Sequence, residues 1–268
     1  MSTNPVVSIV IPMYNAESYI RETLISIANQ TYDSYEVIVV DNASTDSSLA
    51  LVNEFSDQFS KLNVIKRENN SGGPAAPRND GIEQANGELI AFVDADDVWE
   101  PSKLEEQVKC YIEDDANLIC TNSRYIDEES EFLNKATGEK PKKNRTYGLK
   151  ALLFRNTITT SSVVVSKGLL GDSRFNESKE MNTCEDYLLW LTVLNKEASH
   201  LIHLGSPLVR YRVMASSLGH NAGKRALALR SLMASSQFLI ESKQEKYVFI
   251  VLFSNLLRFA RLSLLGLK

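Results

Sequence analysis

"VVSIVIPMYNAESYIRETLISIANQTYDSYEVIVVD", residues 6–41, changes its apolar period twice. Residues 6–12 are a short run rich in β-branched side chains and read as a strand. From 16 to 30, Tyr19, Ile20, Leu24 and Ile27 fall at helical spacing; at 35–41 the strand pattern returns and ends on Asp41. Strand–helix alternation at this spacing implies an α/β fold, a mostly parallel sheet with helices on both faces.

The alternation continues outward. Asp46 reads as the N-cap of a helix lined by Leu49, Val52, Phe55 and Phe59; a strand follows at 62–68, then a loop (69–79) entering a helix, then a strand at 88–94. In such sheets ligands sit beyond the carboxyl ends of the strands. Asp41 and Asp94 both end strands there. After Glu100-Pro101 the sequence predicts a helix over 102–115, a strand over 117–127, a mobile polar loop over 128–145, a helix over 146–156 and a strand over 159–167. A helix over 184–197, two short strands around Ser206-Pro207 and helices over 221–241 and 244–268 complete the chain.

Hydrophobic content of 43% and charged content of 24% in 268 residues suit a soluble globular protein with a real core. Three cysteines without CxxC spacing, and an N-terminus without a signal-peptide pattern, predict a reducing, cytoplasmic setting. The net charge of −5 divides unevenly: residues 221–268 carry +6 and residues 1–220 carry −11. An acidic body with a basic, apolar end argues against nucleic acid and for docking on an anionic membrane.

"FVDADDVW", residues 92–99, runs a strand into Asp94, Asp96 and Asp97. Three carboxylates within four positions repel one another and call for a metal, a basic side chain or a helix N-terminus. Asp97 could cap the helix near Pro101. Asp94 and Asp96 could both project into the crevice, and hard divalent cations take oxygen ligands of this kind, completing their shell with water and phosphate oxygens. A phosphate-bearing substrate follows. There is no GxxxxGK[ST], and SGGPAAPRN is not GxGxxG, which sets aside a P-loop kinase and a nicotinamide dehydrogenase.

With "VSIVIPMYNAESYIRETLISIANQTYDSYEVIVVDNASTDSS" and "GELIAFVDADDVWEP" together and in order, the chain resembles the inverting family-two glycosyltransferases of the GT-A fold. The resemblance is strong over 6–101, moderate over 146–217 and absent from 221 onward. It implies a Rossmann-like GT-A domain over 1–220, with a nucleotide-binding half at 1–101 and an acceptor-binding half at 102–220, followed by a helical, amphipathic, basic extension at 221–268. Pro12, Tyr14 and Asp41 then match the nucleobase pocket, with Asp41 able to accept from uracil N3, and Asn15 counts among the nucleotide-binding residues. Asp94, beside Ala95, matches the ribose contact; Asp96 matches the ligand of a Mn²⁺ or Mg²⁺ on the diphosphate; Arg78 and Asn79 match a loop region that closes on the nucleotide.

The implied reaction is transfer of a sugar from a nucleotide-sugar donor, a UDP-sugar, to an acceptor hydroxyl, which needs a general base opposite the leaving group. "EDYLLWL" (185–191) resembles the family's ED motif, making Glu185 and Asp186 the catalytic candidates, with Asp186 the base. Acids decorating a helix N-terminus are the plainer reading of such a pair. Trp190 reads as core. The family's YRxHxxSxS appears here as "YRVMASSLGHN", so Met214 stands at the His position, and a thioether is a poor ligand for a hard cation. Water or His220 would then complete the shell, or metal dependence is weak. His200 and His203 read as structural.

Residues 247–267 are long enough to span a bilayer, but Ser254, Asn255, Arg258 and Arg261 recur at helical spacing opposite an apolar face. That pattern suits an interfacial helix on anionic lipid. Packing on the catalytic body or on a partner in a homodimer is the alternative. An interfacial helix fits a lipid-linked saccharide acceptor, as in polysaccharide or O-antigen assembly, and a peripheral position on the inner face of the plasma membrane. Two other readings compete: a nucleotidyltransferase, which would place a glycine-rich basic loop where this chain has PMYNAES, and a non-catalytic sugar-nucleotide-binding protein.

Overall fold

The computed structural model describes residues 4–133, 143–214 and 223–264. β1 (Val7–Met13) is buried at all seven positions because helices cover both faces of the sheet. Its alternating side chains serve two cores. Val7, Ile9, Ile11 and Met13 share one with Ile20, Leu24 and Ile27 of α1 (Ile20–Ala28); Val10 belongs to the other, with Ile82 of α3 (Ala75–Gln84). β2 (Tyr35–Asp41) and β4 (Leu89–Phe92) divide their residues the same way.

β1 pairs in parallel with β2 and β4, and β2 with β3 (Leu62–Lys66), so the first half of the sheet runs β3-β2-β1-β4. The three-residue strand β8 (Val164–Ser166) then joins antiparallel to β4 on one side and to β6 (Leu118–Ile126) on the other. β6 pairs in parallel with β9 (Leu201–Arg212), whose other partners are the two-residue strands β5 (Val98–Trp99) and β7 (Arg145–Thr146). The long pairings are parallel, as the alternation predicts, and the antiparallel ones are short.

One expectation is corrected here. Residues 201–212 form a single strand rather than two, with Ser206-Pro207 inside it. Pro207 lies opposite Asn122 where the β6–β9 register shifts, and such an irregularity tolerates a residue with no N–H to donate. The loop predicted over 128–145 is partly ordered: Phe132 bridges to Ile126 and Arg145–Thr146 is β7, while 134–142 lie outside the described residues.

α2 (Ser48–Asn53) and α4 (Lys103–Glu113) contribute Val52, Leu104 and Val108 to the α1 face; α5 (Leu149–Phe154), α6 (Lys167–Leu170) and α7 (Glu185–Leu194) contribute to the α3 face, where Trp190 is fully buried against Phe92 and Phe175. The basic extension joins that second core. α8 (Gly223–Ser242) inserts Ala234, Phe238 and Leu239, and α9 (Val248–Leu264) inserts Val251. The polar stripe of α9 is split. Ser254 and Asn255 face the body, with Ser254 Oγ 3.5 Å from the Leu153 carbonyl, while Phe249, Leu252, Phe253 and Leu256 are exposed. All three cysteines are free and buried.

Candidate active site

The site forms where the parallel half of the sheet ends. Asp41, at the end of β2, is fully buried; Oδ1 accepts from the Ser44 N–H at 3.0 Å, and Oδ2 has no hydrogen-bond partner. Pro12 is buried in β1, while Tyr14 is half exposed. Asn15, in the left-handed region at φ 46°, accepts from the Thr45 N–H at 2.8 Å and donates its own N–H to Ser44 Oγ. The loops after β1 and β2 are thereby stitched together. Asn42 adds the loop after β3, accepting from the Ser71 N–H and donating to Asn70 Oδ1.

The Asp94–Asp97 turn is held from both halves of the chain. The Asp97 N–H donates to the Asp94 carbonyl, the Asp94 N–H donates to Ser161 Oγ, and Thr23 Oγ1 donates to the carbonyls of Ala95 and Asp97. Arg212, 2% exposed, donates through Nε to the Asp96 carbonyl and through its backbone N–H to Asp97 Oδ1. Asp97 is therefore a brace for β9 rather than a cap for α4, which has no side-chain cap. Asp96 is half-buried, and burial together with Asp94 pushes its pKa up to about 7. A carboxylate on which burial and Asp94 outweigh the nearby Arg212 and Arg78 fits a divalent cation that brings further oxygen ligands with it. Among the described residues no three His, Cys, Asp or Glu converge as a ready-made metal cage. Met214 is half-buried just past β9, and His220 lies outside the described residues.

Arg78 joins the two candidate motifs. Buried at 4% exposure on α3, it donates from Nη2 to Asp94 Oδ1 at 2.6 Å and from Nη1 to Glu185 Oε1 at 3.0 Å, with its guanidinium over the Phe175 ring. A planar fork is the side chain suited to bridging two carboxylates. Glu185 is buried and its pKa is raised by burial and by Asp186. Asp186 is turned towards the cleft. Its Oδ2 accepts from Thr160 Oγ1 at 2.9 Å and Oδ1 from the Tyr187 N–H at 2.6 Å; burial raises its pKa, while Arg78, Thr160 and the Tyr187 N–H hold it down. Asp94, Glu185, Asp186 and Arg78 share a cleft of about 390 Å³ with Tyr125 and Tyr211. Asn79 stands elsewhere: its amide is taken up by both backbone groups of Phe175 and by Glu177.

Residues 8–167 match the model of Glycosyl transferase family 2. The chain belongs to that family. This family-2 glycosyltransferase is 32% identical over 218 residues to the UDP-Glc:alpha-D-GlcNAc-diphosphoundecaprenol beta-1,3-glucosyltransferase WfgD of Escherichia coli, covering 81% of each chain. The crystal structure of S. aureus TarS 1-349 in complex with UDP superposes with a TM-score of 0.66 at 25% identity, over 87% of this chain and 70% of that one. The mannosyltransferase PcManGT from Pyrobaculum calidifontis, in complex with GDP-Man and Mn²⁺, superposes at 0.62 with 17% identity over 98% of this chain and 76% of that one, a likeness of fold. The architecture is GT-A.

Three positions of this glycosyltransferase escape a reading of sequence motifs: Thr160, Ser161 and Arg212. The polar TTSS ahead of β8 and the arginine ending β9 are visible signals, but only the folded sheet brings them to the acidic turn.

Proposed function

We propose that this enzyme transfers a sugar with inversion from a UDP-sugar to a hydroxyl of a saccharide acceptor, with Asp186 as general base. The observation that carries this reading is the single arginine, Arg78, bonded at once to Asp94 and to Glu185, which sets Asp186 beside the carboxylate turn across one small cleft. Asp186 removes the acceptor O–H proton as that oxygen attacks the anomeric carbon; the bond from that carbon to the diphosphate oxygen breaks, and its electron pair leaves with the nucleoside diphosphate. Asp41, with one buried oxygen unpartnered, accepts from the nucleobase, and Pro12, Tyr14 and Asn15 frame it. Asp94 and Ala95 lie on the ribose side. Asp96 would hold Mn²⁺ or Mg²⁺, which when bound offsets the charge of the departing diphosphate.

A lipid-linked saccharide acceptor in surface-polysaccharide assembly is supported by the named activity of the Escherichia coli relative and by the exposed apolar face of α9. We place the enzyme peripherally on the inner face of the plasma membrane. Release of a nucleoside diphosphate separates this reading from a nucleotidyltransferase, which would release pyrophosphate.

The test is calorimetric titration with UDP and with GDP, with and without Mn²⁺, on the wild type, Asp96→Ala and Asp186→Asn. Asp186→Asn is expected to keep UDP affinity and lose transfer by roughly 10²–10⁴-fold; near wild-type turnover would remove Asp186 from the base role. Asp96→Ala is expected to lose the Mn²⁺ dependence of UDP binding. A wild type that binds UDP but turns over no UDP-sugar would be a binding protein instead.

A further inference from the structure

A second cavity, of about 700 Å³, opens beside the catalytic cleft and shares Tyr125, Ile158 and Thr159 with it. The two differ in charge. The cleft holds Asp94, Glu185 and Asp186, whereas the larger cavity is lined by Lys143, Arg145 and Arg155 and by no carboxylate. None of these three cations forms an ion pair with a carboxylate among the described residues. Cations that line one concave site with no counter-charge among the described residues are what a phosphate group recruits.

The sheet order decides which substrate that phosphate belongs to. Donor-side residues sit on β1, β2 and β4; the cavity lies beyond β8, over Asn122 of β6 and His203 of β9 and against Arg145 of β7. Attack on the anomeric carbon comes from the face opposite the leaving diphosphate, so an acceptor hydroxyl at Asp186 directs the rest of the acceptor away from the donor. The basic cavity adjoins the cleft on the side of β6, β7 and β9, away from β1 and β2. Its wall also reaches the outer helices: Arg155 follows α5, whose Leu153 carbonyl contacts Ser254 of α9, and α9 carries the exposed apolar face.

We infer that this cavity binds a phosphate carried by the acceptor, read by Arg145 and Arg155 with Lys143 at its margin. The inference rests on the glycosyltransferase reading above and narrows its acceptor to an anionic one.

The experiment titrates UDP-saturated enzyme, at fixed ionic strength, with a short-chain alkyl-diphosphate-linked hexosamine, with an oligomer of glycerol phosphate and with a neutral alkyl hexosaminide. The wild type is compared with the double variant Arg145→Gln/Arg155→Gln and with Arg155→Lys. The alkyl diphosphate is expected to bind the wild type, to lose roughly tenfold or more in the double variant and to recover partly in Arg155→Lys, while the neutral glycoside shows no such loss. Tighter binding of the oligomer than of the alkyl diphosphate would also support the phosphate site and would assign its source to a polymer rather than a lipid. Equal phosphate affinity in wild type and double variant, with UDP binding intact in both, overturns the inference alone. Failure of the wild type to bind UDP removes the glycosyltransferase reading and this inference with it.

Discussion

Thr160 shows how one hydroxyl sets the working range of the site. Its Oγ1 donates to Asp186 Oδ2 and so favours the charged carboxylate against the burial that disfavours it. Thr160→Val removes the donor without opening a cavity, so the Asp186 pKa rises further and more of this proposed base is protonated at any given low pH. The acid limb of the kcat profile is expected to move to higher pH, with activity lost at low pH and regained as pH rises. A profile that stays in place would remove either Thr160 or Asp186 from the proton transfer. At this scale the sequence is informative about type and poor about partners. Asp41, Asp94, Asp96 and the Glu185-Asp186 pair are legible from strand ends and motif likeness. The engagement of Asn79 with Phe175 and Glu177 is not, because both partners lie almost a hundred residues further along the chain.

At the scale of the element, α3 is fitted to β1 by an absent side chain. A Cβ on Gly81 would fall 2.4 Å from Cγ1 of Val10, inside the packed core. On an exposed helix, Gly→Ala gains up to about 1 kcal/mol from helix propensity. Here overpacking costs about 1–3 kcal/mol and dominates. Gly81→Ala is therefore expected to lower the denaturant midpoint and, by shifting the helix that carries Arg78 one turn earlier, to reduce transfer as well. Adding Val10→Ala should restore part of the stability, and a double variant showing no coupling would place the strain elsewhere. The elements themselves are readable from hydrophobic period, since buried parallel strands and amphipathic helices differ so plainly. The two-residue β5 and β7 carry no period, and the strand expected over 159–167 shortens to β8. Three residues follow a 3-10 turn there, and only their pairing with β4 and β6 reveals that they splice the two halves of the sheet.

Taken as a whole, the molecule is polarised. The extension from 221 carries a net +6, and α9 turns Phe249, Leu252, Phe253 and Leu256 outward while Ser254 reaches the body and Asn255 is buried beside it. The sequence shows an apolar and a polar stripe on this helix; which one meets the body depends on the shape of the groove beside α5. Leu252→Glu/Leu256→Glu is expected to abolish sedimentation with anionic vesicles, while UDP binding is unchanged. Added salt should weaken wild-type binding only in part, because buried apolar area is not screened. A variant that still sediments would exclude this face as the contact. A halved mass in light scattering would instead identify the face as a dimer interface.

The bridge from Arg78 to Glu185 spans 107 residues, and β4 lacks its second neighbour until β8 has been made. On a ribosome, the first hundred residues therefore emerge with a bare strand edge and with an arginine that has met only Asp94. At synthesis rates of about 5–20 residues per second, that interval lasts roughly 5–20 s. A bare edge invites pairing with another chain. The join that makes the cleft thus also closes the edge of β4, while that of β6 waits for β9.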